Sequence, residues 1–158
     1  MILLSNGTGC KRQRENAKTE LEGQLIPSFN LLLADGATTI NTAAIPPGSP
    51  VVLMLFSPEC SYCAELTDSI TSNISALKGI RFYFISPFPM PGLQHFSRQY
   101  NLDKHTNVVV GMDYDNFYLL HTRTSVIPLA AVYDTQKRLK KVLAGQASAR
   151  AIREIAYM

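Results

Sequence analysis

Apolar positions along the chain predict buried strands that alternate with amphipathic helices. The run Val51–Phe56 is apolar at every position, which is typical of a parallel strand covered on both faces. Ile80–Ile85 predicts a second central strand. Between them, apolar residues recur at helical spacing and predict one helix with a single buried stripe, which ends at Lys78–Gly79. The stripe consists of Leu66, Ile70, Ile74 and Leu77.

The segments on either side predict the rest of a mixed sheet. Asp35–Gly36 is a hairpin signal between two short apolar runs, so Pro27–Leu33 and Ala37–Ile40 are predicted to pair. The later elements follow as a helix over Leu93–Tyr100, a strand over Val108–Val110, a helical turn over Asp115–His121, strands over Leu129–Tyr133 and Arg138–Ala144, and a last helix that Ser148 caps. This order indicates the α/β class, with a mixed central sheet and a terminal hairpin.

Composition and charge limit the range of functions. With 158 residues, of which 46% are hydrophobic, the chain can bury one domain core. We interpret residues 1–24 as a polar leader or linker and residues 25–158 as the domain. The net charge of +3 is small, and the late basic residues Arg138, Lys140 and Lys141 fit a solvated edge strand. Nucleic-acid binding is therefore not favoured.

The beginning of the chain leaves the location of the protein open. No apolar run approaches the length of a membrane span. Residues 1–10 look like the tail of a lipoprotein export signal, although the apolar stretch is short and Gly7 stands where such signals usually carry leucine. Either the signal is truncated, or Cys10 is an ordinary residue of a leader. Under the first interpretation Cys10 carries a lipid, which tethers the domain to a membrane outside the cytoplasm; a cytoplasmic location remains open under the second.

Cys60 and Cys63 form the most informative motif, a Cys-Ser-Tyr-Cys sequence between a predicted strand and a predicted helix. The backbone N–H groups at the start of a helix point at the first sulfur and stabilise its thiolate, and the second cysteine lies one turn further on, within reach of a disulfide. We therefore predict that Cys60 is the nucleophile and Cys63 the resolving thiol. Structural cysteines or half of a zinc site are the alternatives. A zinc site fits poorly, because Cys10, His95, His105 and His121 are not paired at ligand spacing.

With these motifs in place, the order of elements resembles the thioredoxin-like family. The added N-terminal hairpin and the segment from Ile80 to Val110 look most like its TlpA-type extracytoplasmic subgroup. The resemblance covers residue 25 to the end and implies a three-layer α/β/α fold. It also implies that Pro128 follows a cis peptide bond beside the disulfide, and that the backbone of Ile127 pairs with a substrate peptide. The alternative is a proline that simply starts a strand.

Four positions in and around the motif depart from the family pattern, among them Ser61 and Tyr62, which replace the Gly-Pro of thioredoxin. Glu59 replaces the usual tryptophan before the first cysteine, and Met54 replaces the buried acid that thioredoxin carries. A carboxylate at Glu59 opposes thiolate formation on Cys60. One hypothesis is that Glu59 takes over proton transfer for Cys63, and the other is that Glu59 points into solvent. Tyr62 either stacks against a bound peptide or shields the sulfur.

The resemblance implies a thiol-disulfide oxidoreductase that needs no cofactor beyond a redox-active Cys60–Cys63 disulfide. Its expected partners are protein thiols or disulfides and a membrane or soluble thiol reductant, and its expected location is periplasmic or otherwise extracytoplasmic. A peroxiredoxin-like peroxidase is one alternative: Ser57 matches that family three positions before the cysteine, whereas Leu53 stands where the family has proline. A non-catalytic binding module is another alternative, since fold alone does not fix function.

Overall fold

A computed structural model describes residues 20–158, and within that range the chain forms a seven-stranded mixed sheet. The strands are β1 (Asn30–Leu33), β2 (Thr39–Asn41), β3 (Val51–Leu55), β4 (Arg81–Ser86), β5 (Val108–Met112), β6 (Leu129–Tyr133) and β7 (Leu139–Ala144). The helices are α1 (Ser61–Ser72), α2 (Met90–Gln99), α3 (Phe117–Thr122) and α4 (Ala149–Ala156). The order across the sheet is β2-β1-β5-β4-β3-β6-β7.

The sheet is buried on both faces, which confirms the three-layer α/β/α prediction. Strands β3, β4 and β5 run parallel, and β6 pairs antiparallel with β3. Alternate β3 side chains enter two apolar clusters: Val52 and Met54 pack with α1, α2 and α4, whereas Leu53 and Leu55 pack with α3 and the N-terminal segment. All five residues of β3 are buried, as its uninterrupted apolar run predicts.

The helix after Cys60 is shorter than predicted. It ends at Ser72, and Ile74–Leu77 forms a separate 3₁₀ turn instead of continuing the stripe. Polar side chains explain the break, because they compete for helix carbonyls: the Thr71 hydroxyl donates to the Thr67 carbonyl at 3.0 Å, and the Asn73 amide donates to the Ser69 carbonyl at 2.8 Å. Leu66, Ile70 and Leu77 are nevertheless buried as expected, and Ile74 is half-buried.

Other boundaries differ from the sequence-based expectation by a few residues. Helix α2 begins at Met90, ahead of the predicted Leu93. Pro91 is tolerated there because the N–H groups of the first helical turn have no carbonyl partner within the helix, so the missing N–H of proline costs no hydrogen bond. The third predicted strand extends to Met112, and α3 starts at Phe117. The cap at Ser148 is confirmed: its hydroxyl accepts the Ala151 N–H at 3.2 Å.

The added hairpin and the N-terminal segment enlarge the sheet at its two ends. Strands β1 and β2 pair antiparallel, and β1 also pairs with β5, two strands away from β3. At the other end, Gly23 donates its N–H to the Leu139 carbonyl at 2.7 Å, and Leu25 bridges to Arg138. The segment just before the predicted boundary at residue 25 thus lies against β7. Within the described range, none of the helices has the length and apolar character that a membrane crossing requires.

Candidate active site

Cys60 lies at the start of α1, just beyond the carboxyl end of the central strand β3. Its N–H donates to the Ser57 carbonyl at 3.1 Å, which closes the turn between strand and helix. Cys60 occupies the N-cap position, and its Sγ accepts the N–H of Cys63 at 3.2 Å. The sulfur therefore takes the place of the oxygen of an ordinary N-cap side chain. This contact directs a helix N–H at the half-buried sulfur, where it favours negative charge.

Cys63 lies one turn along α1 and is inaccessible to solvent. Burial raises the pKa of the Cys63 thiol to about 12, the hydrogen bond with Cys60 adds to the increase, and the Ser57 backbone opposes it. Met54 lies in the same apolar cluster, so the buried acid of thioredoxin is replaced here by a thioether. Both cysteines are free thiols in the structure. The two sulfurs thus differ in exposure, and Cys63 is held in its protonated form.

Ile127 and Pro128 lie next to Cys60 although 67 residues separate Ile127 from it in the chain. Strand register explains the approach: Leu129 pairs with Leu55, so the residues before β6 come to the end of β3 from which Cys60 follows. The Cys60 thiol donates to the Ile127 carbonyl across 4.0 Å, and the Ile127–Pro128 peptide bond is cis. Pro128 is buried and its carbonyl accepts the Gly145 N–H at 2.8 Å.

Exposed side chains stand next to Cys60 along the chain. The Tyr62 side chain is 48% exposed and Glu59 is exposed. The loop after β4 leads into α2, whose first turn approaches the turn before Cys60, because a Cβ built on Gly92 would lie 3.6 Å from Cγ of Pro58. That loop carries Phe88, which is 41% exposed. We call Glu59, Tyr62 and Phe88 the rim of the site.

Two residues of this site were not singled out as substrate or thiol contacts from the sequence. Ser57 touches both cysteines through its backbone, and its hydroxyl accepts the Glu59 N–H at 3.3 Å. Phe88 stands out in the sequence only as an aromatic residue within a proline-rich loop after a central strand. That pattern is a usable signal, because loops at the carboxyl ends of parallel strands commonly carry function.

The remaining candidates lie elsewhere. Cys10 is outside the described residues. His95 is exposed, and His105 is half-buried beside the 3₁₀ turn Leu102–Lys104. His121 stacks on Phe117, and burial lowers the pKa of its imidazole. Within residues 20–158 these side chains do not gather into a group of three or more metal-binding residues.

The difference in exposure predicts selective alkylation of the reduced protein. At pH 8 iodoacetamide is expected to modify Cys60 and to leave Cys63 unmodified, because the buried thiol with a pKa of about 12 remains protonated. Between pH 8 and pH 11 the rate at Cys63 is expected to rise about tenfold per pH unit, since the thiolate fraction increases by that factor below the pKa. Peptide mass mapping measures both rates. Equal labelling of the two cysteines at pH 8 would contradict the assignment, and unfolded protein provides the control in which both react.

Comparison with known proteins identifies one relative in sequence and many in structure. No family model matches the chain. The methylamine utilization protein MauD of Methylobacillus flagellatus is 32% identical over 95 residues, which are 58% of this chain and 46% of that protein. The chain thus corresponds to less than half the length of this relative.

Solved structures share the architecture at low sequence identity. A secreted disulfide oxidoreductase of Mycobacterium tuberculosis, described as homologous to DsbE of E. coli, superimposes with a TM-score of 0.64 and 21% identity over 82% of this chain and 92% of that one. The peroxidoxin BcpB of the same organism gives a TM-score of 0.70 and 15% identity over 85% of this chain and 94% of that one. Both similarities span nearly the whole described fold, and with the sheet order above they establish that the chain has the thioredoxin-like fold.

Proposed function

We propose that the protein is a thiol-disulfide oxidoreductase that exchanges disulfides with protein substrates through Cys60 and Cys63. The observation that carries the proposal is the placement of the Cys60 sulfur. It accepts the Cys63 N–H at a helix start and lies 4.0 Å from the Ile127 carbonyl, beside an exposed rim. A nucleophilic thiol benefits from a hydrogen-bond donor directed at its sulfur and needs access to a partner, and Cys60 has both. The disulfide oxidoreductase among the structural relatives supports the same reaction class.

In the first step the Cys60 thiolate attacks one sulfur of a substrate disulfide. A bond forms between Cys60 and that sulfur, the substrate disulfide breaks, and the second substrate sulfur leaves as a thiolate. The backbone at Ile127 faces this reaction, so we assign Ile127 and Pro128 to substrate binding.

In the second step Cys63 attacks Cys60, which gives the intramolecular disulfide and releases the reduced substrate. The substrate gains two electrons, the two cysteines lose them, and the Cys63 proton passes to a departing substrate thiolate. Because the pKa of Cys63 is raised to about 12, loss of this proton is the demanding part of the step. Glu59 is exposed whereas Cys63 is buried, which favours the interpretation that Glu59 points into solvent.

We further propose that the protein works outside the cytoplasm and is reduced by a membrane or soluble thiol donor. The arguments are the sequence pattern before Cys10, which allows a lipid tether, and the secreted relative from Mycobacterium tuberculosis. Turnover requires a thiol reductant, because each reduction of a substrate leaves Cys60 and Cys63 oxidised to the disulfide.

Equilibration in glutathione buffers tests the redox function. The dithiol fraction, measured by alkylation and mass spectrometry, is expected to change smoothly with the ratio of reduced to oxidised glutathione. A disulfide that stays intact in every buffer would identify a structural cross-link and a non-catalytic binding module. The Cys60→Ser variant cannot form the intramolecular disulfide, so it provides the baseline for the alkylation measurement.

Peroxide reduction is the second candidate, because the peroxidoxin BcpB shares the fold and Ser57 lies three positions before Cys60. Leu53 argues against it, since this fully buried residue stands where the peroxiredoxin family has proline. Consumption of hydrogen peroxide in the presence of a dithiol reductant distinguishes peroxide reduction from thiol-disulfide exchange. The thiol-disulfide exchange proposal predicts no consumption above that of the Cys60→Ser variant, and consumption above that level would favour the peroxidase.

A further inference from the structure

The loops at the carboxyl edge of the sheet differ in charge from the rest of the molecule. Residues 20–158 contain 11 basic and 11 acidic side chains, because the net charge of +3 comes from residues 1–19, whereas these loops hold three carboxylates and one guanidinium. The loop charges are Glu59, Asp113, Asp115 and Arg123. Four of the 11 basic side chains of residues 20–158 lie at the β6–β7 turn and along β7, namely Lys137, Arg138, Lys140 and Lys141. These loops therefore carry an excess of carboxylates within a domain that has no net charge.

Glu59 is the carboxylate nearest to Cys60 along the chain. Its backbone is fixed by the bond to the Ser57 hydroxyl, and its side chain is exposed directly before the nucleophile. Asp113 is buried and accepts the Tyr118 N–H at 2.7 Å, so it is committed to the start of α3. Asp115 and Arg123 flank α3, which follows β5, two strands away from β3.

Apolar surface accompanies this charge. Tyr62 in the first turn of α1 and Phe88 in the loop before α2 carry large, substantially exposed rings. Exposed aromatic side chains beside a reactive group are typical contact residues, because they bury much apolar area for few rotatable bonds. An anionic group next to two aromatic rings fits a partner segment that is both apolar and cationic.

Building on the proposed exchange reaction, we propose that Glu59 selects extended polypeptide substrates with lysine or arginine next to the reacting cysteine. The carboxylate attracts the substrate cation as the disulfide approaches Cys60, while the apolar neighbours of that cysteine pack on Tyr62 and Phe88. A substrate with an acidic residue at the same place meets repulsion. Glu59 is thus a specificity-determining residue that takes no part in bond making.

Two matched peptides test this selectivity. Each contains phenylalanine, a variable residue and a cysteine activated as a neutral thiopyridyl disulfide, with lysine in one peptide and glutamate in the other. Release of thiopyridone on mixing with the reduced full-length protein gives the rate of the first step. Dividing by the rate of each peptide with a small neutral thiol removes the intrinsic reactivity of the peptide.

The lysine peptide is expected to react about five-fold faster than the glutamate peptide at low salt, a factor typical of one exposed charge pair. Half-molar salt is expected to reduce the preference toward unity through screening. Glu59→Gln is expected to abolish the preference, whereas the matched control Glu65→Gln, an exposed carboxylate further along α1, retains it. Phe88→Ala is expected to slow both peptides equally.

The outcomes separate the selectivity from the reaction on which it rests. Equal rates for the two peptides, or a preference that survives Glu59→Gln, would overturn the selectivity and leave the exchange reaction standing. If Glu59→Gln changes the rates of both peptides by the same factor, the residue acts on the reactivity of Cys60 and not on substrate choice, and the selectivity is overturned. If neither peptide reacts, the exchange reaction fails and the selectivity fails with it.

Discussion

The Cys63→Ser variant is expected to accumulate a stable covalent adduct with a disulfide substrate, whereas Cys60→Ser accumulates none. The physical reason is the asymmetry of the two sulfurs: Cys60 is half-buried at the helix start, and Cys63 is wholly inaccessible. Without the Cys63 thiol, the mixed disulfide on Cys60 has no internal nucleophile to release it. Turnover is lost in both variants, but covalent capture remains in only one.

Non-reducing electrophoresis and intact mass spectrometry after incubation with oxidised insulin measure the adduct. Reduction with dithiothreitol provides the control, because it should release the captured chain completely. The double variant, in which serine replaces both cysteines, gives the background from Cys10 if that residue reacts. Adducts of similar yield in the two single variants would contradict the assigned order of attack.

The largest expected effect on stability comes from Phe56→Ala, with a loss of about 3–5 kcal/mol in the free energy of unfolding. Phe56 follows β3 directly and is 1% exposed. Its ring lies 5.8 Å from that of Phe84, edge to face, and 4.7 Å from that of Phe96. Truncation removes both contacts and leaves a cavity beneath the turn that leads to Cys60. Iodoacetamide should then no longer distinguish clearly between Cys60 and Cys63.

Urea unfolding followed by circular dichroism measures this loss. Phe88→Ala is a matched control, since it removes the same ring from an exposed position and is expected to change the free energy of unfolding by about 0.5 kcal/mol or less. A loss below about 1 kcal/mol for Phe56→Ala would show that the core relaxes around the missing ring.

Features encoded over short stretches of sequence were predictable. The run Val51–Phe56 predicts β3 because only a strand covered on both faces tolerates such a run, and Ser148 predicts the start of α4 because its hydroxyl satisfies a free N–H. The motif at Cys60 follows from the same strand-to-helix change. The end of α1 was missed because the polar side chains of Thr71 and Asn73 outweigh the continuing apolar spacing.

Features that depend on distant contacts could not be derived from local pattern. The approach of Ile127 to Cys60 depends on the register between β3 and β6. The family resemblance implied this approach, whereas the local sequence pattern did not. The raised pKa of Cys63 depends on the depth of burial, which spacing alone does not give. The position of Phe88 depends on how the start of α2 packs near Pro58, which a Cβ built on Gly92 would approach to 3.6 Å.

The proline-rich loop that carries Phe88 has a thermodynamic consequence for association. Pro87 and Pro89 flank the aromatic ring and Pro91 follows in the first turn of α2, so the backbone torsion φ is restricted on both sides of Phe88. A loop that is already stiff in the free protein loses little conformational entropy when a ligand settles on it. The stiff loop therefore lowers the entropic cost of each encounter, which suits the proposed exchange with successive disulfide substrates.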